Sequence, residues 1–158
     1  MEAGQQRDIE QFYKDFSDKV KDIVVSLEFV SLEAEQCVFE ALNLKKNASG
    51  QLWGLLVFCS KNIYFYVVPY ESSVNIILRR TFGGKRVQEQ LLNITELDSL
   101  EFKKPPKKWY DFLFYTGFGK IDMEFYDKQG NKMTVHVSTQ HKADVVLEKI
   151  AAVKTVDV

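Results

Sequence analysis

The chain is poor in the residues that make covalent staples, catalytic relays and membrane anchors. Two cysteines, Cys37 and Cys59, and two histidines, His136 and His141, are all that 158 residues contain. Both cysteines sit in apolar, strand-like runs, where a thiol serves as a small hydrophobe, so neither a disulfide nor a redox pair is expected. The histidines are five positions apart with no cysteine pair near them in sequence, which matches no compact metal motif; a strand or surface histidine is the simpler reading. No metal, other cofactor or catalytic constellation is expected. Long apolar runs are absent too. The longest uncharged stretches, 47–60 and 62–70, fall short of the ~20 residues of a membrane helix, and the start MEAGQQRDIEQ lacks a leader pattern. The reading is a cytoplasmic protein. Nor is there an excess of charge: 21 basic against 22 acidic side chains leave −1, so no long-range field draws in nucleic acid or an anionic membrane, and any such attraction has to be local.

What is present is core material, with 46% apolar and 13% aromatic residues in a chain long enough for one packed domain. Apolar positions at Ile9, Phe12, Phe16, Val20, Ile23, Val24 and Leu27 recur at spacings of three and four, which predicts an amphipathic helix over that stretch. Residues 1–34 therefore read as an acidic helical extension and 35–158 as the main domain.

Beyond Glu35 the period shortens. CVFEALNLK, QLWGLLVFC and NIYFYVVP read as three strands separated by Asn47–Gly50 and Ser60–Asn62, with SVNIILRRTF a fourth and ITELDSLEF a fifth. Asp127–Asn131 is a hairpin turn joining KIDMEFY to KMTVHVS. Ser138 or Thr139 then caps a last helix striped by Ala143, Val146, Leu147 and Ile150. The fold class is mainly β with terminal helices: an antiparallel barrel or bent sandwich of about seven strands, capped by the C-terminal helix, with the N-terminal helix added.

GQLWGLLVFCSKNIYFYVV, LNITELDSLEF and IDMEFYDKQGNKMTVHVSTQHKADVVLEKI, taken in order, resemble the pleckstrin-homology-like superfamily in its GRAM and bacterial branches, over residues 35–153. The resemblance implies a PH-like barrel and a binding rather than catalytic role. Headgroup-binding members of that family carry a basic motif across the first hairpin; here only Lys45 and Lys46 precede the turn and no arginine follows.

Two features bear on binding. The segment 79–108 holds Arg79, Arg80, Lys85, Arg86, Lys103, Lys104, Lys107 and Lys108 against four acids, the local basic feature through which an anionic lipid could be held. Its Gly83-Gly84-Lys85-Arg86 lacks the spacing of a phosphate-binding loop. The stretch KKPPKKWYDFLF then enters a strand apolar on both faces, which calls for a core on one side and a cover on the other, and the N-terminal helix is the expected cover. The expected function is a non-enzymatic module for protein–protein interaction, self-association included, through Trp109, Tyr110, Phe112, Tyr115 and Phe118 or through a sheet edge. Anionic lipid binding through the basic segment is the alternative.

Overall fold

A computed structural model describes residues 3–45, 50–67, 81, 89–105 and 119–154, with side chains from residue 7 to 153. Helix α1 (Ala3–Val20) leads into β1 (Val24–Glu33), a short α2 (Gln36–Ala41), then β2 (Gln51–Cys59), β3 (Ile63–Val67), β4 (Gln90–Asn93), a 3-10 turn at Ile94–Glu96, β5 (Asp98–Lys103), β6 (Gly119–Tyr126), β7 (Lys132–Thr139) and α3 (Ala143–Lys154). The strands form one curled antiparallel sheet in the order β4-β3-β2-β1-β7-β6-β5. The mainly β class with terminal helices is thus the architecture found. The first strand meets the last, Leu32 opposite Val137, and this pairing joins two meanders into one sheet.

Side chains alternate across the sheet and supply two cores. The inner face carries Val30, Leu32, Leu56, Phe58, Ile63, Phe65, Ile121 and Val137, closed over by Val38 and Phe39 of α2 and by Val146, Ile150 and Val153 of α3. The outer face of β1–β3 carries a second cluster, Val24, Leu55, Val57, Cys59, Tyr64 and Tyr66, on which α1 sets Phe16, with Phe12, Tyr13 and Val20 around it. Covering on both faces is why QLWGLLVFC and IYFYV are near-continuously apolar. At Gly54 a Cβ would stand 2.7 Å from the Phe65 ring and from the Tyr66 carbonyl oxygen, so the close approach of β2 and β3 needs glycine there.

Three expectations are corrected. The predicted helix through Leu27 ends at Val20, because Lys21 takes a left-handed conformation (φ 58°) and the chain turns into β1. The segment 24–33 is a central strand, and part of the sheet precedes residue 35. A bulge between Val24 and Ser26 breaks its alternation and so hides the strand period. CVFEALNLK is not a strand: Gln36–Ala41 is helical, Val38, Phe39 and Leu42 share the buried side, and Asn43 (φ 56°) ends the turn. Cys37 is accordingly exposed on α2, whereas Cys59 is buried as expected. The third concerns the cover: the stripe of α1 rests on β2 and β3, so it has a seat without the aromatic strand. The strand expected at 109–115 lies outside the described residues, as does that at 73–82 but for Thr81.

Phe16 is the centre of that seat, its ring centroid 5.8 Å from Tyr64 and 5.3 Å from Tyr66. Phe16→Ala is expected to cost about 3 kcal/mol and to loosen α1 before the sheet. Hydrogen exchange of α1 amides checks this; protection unchanged over residues 7–20 would show that the ring does not hold the helix.

Candidate functional site

Pairing registers place outer-face residues of successive strands in rows. One row runs Leu91, Tyr66, Leu55, Phe29 from β4 to β1. The next runs Trp53, Ser31, Ser138, Lys120 from β2 to β6. A third runs Gln51, Glu33, His136, Asp122, Lys103 from β2 to β5. The face is therefore apolar at Leu91, Tyr66, Leu55, Phe29 and Trp53, and polar over β7 to β5 and at Ser31, Glu33 and Gln51 toward one end of β1 and β2. Helix α1 covers Leu55 and Tyr66 but stops short of their neighbours, leaving Phe29 62% and Trp53 63% exposed. Ile9, on the same stripe of α1 as Phe12 and Phe16, is also exposed. Two large aromatics from adjacent strands, uncovered beside a buried cluster, make an apolar patch of the kind that marks interaction surfaces.

On the polar side His136 Nδ1 lies 2.7 Å from Asp122 Oδ1. A groove of about 930 Å³ opens between α2 and the β6–β7 hairpin, lined by Glu33, Glu35, Cys37, Val38, Met133 and His136 among others. Asp127, at its rim, is engaged in its own turn: the backbone N–H groups of Asn131 and Gln129 donate to it and, with the Asn131 side chain, hold its carboxyl below the ordinary value. Among the described residues no three His, Cys, Asp or Glu side chains gather as metal ligands.

The buried polar groups hold the scaffold together. Asp22 accepts from Ser60 Oγ at 2.6 Å and from the backbone N–H groups of Ile23, Lys61 and Asn62, which ties the end of α1 to the β2–β3 turn. Burial pushes its pKa up, but the bonds from Ser60, Lys61, Ile23 and Asn62 outweigh this and leave the carboxyl below its ordinary value. Burial, with the Asp22 charge beside it, pushes the Cys59 thiol up to about 12, so it stays protonated and unreactive. Glu28 joins β1 to the approach of α3: His141 N–H donates to Oε1 at 2.7 Å, and His141 Nδ1 and Lys149 Nζ lie 2.7 and 3.5 Å from Oε2. The two histidines thus serve different carboxylates on different elements and form no joint site.

Trp109, Tyr110, Phe112, Tyr115 and Phe118 lie outside the described residues, as do Arg79, Arg80, Lys85, Arg86, Lys107 and Lys108. Of the basic segment, Lys103 pairs with Glu124 (3.0 Å) and Glu101 (3.5 Å), and Lys104 pairs with Asp144 on α3. Nothing in the local pattern sets Phe29 and Trp53 apart, because each lies among apolar strand residues such as Val30, Leu32, Leu52 and Leu55 that are buried. Among the described residues no helix is long and apolar enough to cross a membrane. No family model, curated protein or solved structure matches the chain.

Proposed function

We propose that this chain is a non-enzymatic binding module whose ligand is a protein, in keeping with the pleckstrin-homology-like resemblance of its sequence. The observation that carries the reading is the pair Phe29 and Trp53, both more than half exposed on one sheet face beside the α1 cluster. A buried aromatic side chain is worth roughly 1.5–3 kcal/mol over an exposed one, so a partner that covers both gains several-fold over thermal energy from this patch alone. Anionic lipid is the weaker reading, since both described lysines of the basic segment already have acidic partners.

A photo-cross-linking amino acid in place of Trp53, in the cell that makes the protein, tests the proposal. The expected result is a discrete protein adduct, lost on adding Phe29→Ser and absent when the cross-linker replaces Lys128 in the β6–β7 turn. Adducts to lipid alone, or none, overturn the reading.

A further inference from the structure

We infer that the strip formed by Phe29 and Trp53 receives an amphipathic α-helix of the partner protein, laid alongside α1. This rests on the protein-binding reading and names the kind of element that binds. The first support is continuity with a helix seat already in use. Phe29 stands directly across from Leu55, which α1 buries, and Trp53 is two residues from Leu55 on the same face, so the strip is the unfilled margin of one apolar surface. The second support is the direction of α1. Phe16 packs on Tyr64 and Tyr66 and Phe12 on Tyr66 at 6.0 Å, so α1 runs toward the Trp53 end of the face, and Ile9, one turn beyond Phe12, is exposed and gives α1 an apolar flank.

The third support is polarity. Past the strip the face turns polar at Ser138, Lys120 and His136, with Glu33 at its end, so the occupant needs a narrow apolar stripe with charged flanks of both signs. A bare sheet edge or an extended peptide would leave the step beside α1 unfilled; a second helix completes the layer that α1 begins.

The probe is a synthetic peptide with the sequence of residues 3–20, AGQQRDIEQFYKDFSDKV, added to the intact chain and followed by amide chemical shifts. Its stripe is known to suit this face. Expected shifts centre on β1 and β2 near Phe29 and Trp53. Phe29→Ser and Trp53→Ser are each expected to weaken binding roughly 30-fold, as for interface hot spots. A peptide with serine at Ile9, Phe12, Phe16 and Val20 should not bind. Shifts centred on Tyr64 and Tyr66, meaning exchange with α1 in its own seat, overturn the inference, and so does the absence of any shift. In either case the broader reading is still decided by the Trp53 adduct, so the two can fail separately.

Discussion

Glu28→Ala is expected to lower the free energy of unfolding by about 2–4 kcal/mol, the cost of leaving a buried backbone donor and a cation without their charged acceptor. The Glu28 side chain is fully buried within a sheet face that is otherwise apolar, and both its oxygens are in use. Removing it strands the His141 N–H and leaves Lys149, which also lies over the Phe58 ring at 5.9 Å, without its buried anion. Glu28→Gln keeps an acceptor and should cost clearly less. Urea denaturation of the three proteins reads the difference; an alanine variant within about 1 kcal/mol of the native protein would mean that water replaces the carboxylate at no loss, contrary to the usual penalty for buried polar groups left unpaired.

Asp22→Ala is expected to cost about 2–4 kcal/mol at neutral pH, because Ser60, Lys61 and Asn62 lose a shared acceptor at a position that is 7% exposed. The carboxyl lies lower in the folded chain than its unfolded value of about 3.9, so its contribution is complete above that value and is lost as pH falls through the folded one. The native protein should therefore lose more stability than the variant as pH falls below about 4. Denaturant midpoints across that range test the sign. Parallel acid limbs for the two proteins would place the linkage on other carboxylates.

Much of the architecture was readable along the chain. QLWGLLVFC, NIYFYV, the Asp127–Asn131 hairpin and the stripe of the last helix are local signals, and β2, β3, β6 and β7 stand within a residue or two of the expected places, while α3 begins only at Ala143, because Ser138 and Thr139, the expected caps, end β7 instead. Where local signals conflicted, the reading failed. Ile23, Val24 and Leu27 extend the helical spacing of α1, yet they belong to the turn and to β1. Cys37, Val38 and Phe39 look like strand residues, yet Glu35 starts a short helix whose value lies in closing the inner core with Val38 and Phe39. QLLN at 90–93, too short to show a strand period of its own, is the edge strand β4.

The candidate patch was not readable, for a different reason. Trp53 and Leu55 have the same polarity, the same parity and the same strand; only the reach of α1, which buries one and misses the other, separates them. Likewise Glu28 in a row of apolar residues gave no sign of its partners, which lie more than a hundred positions away.

Periodicity and turn chemistry were enough to set the class of the fold and most of its elements, since each depends on residues within a few positions of one another. The pairing of β1 between β2 and β7, the seat of α1 and the exposure of Phe29 and Trp53 were decided by packing between distant segments. Burial is a property of what covers a residue, and no pattern along one strand records where a neighbouring helix lies.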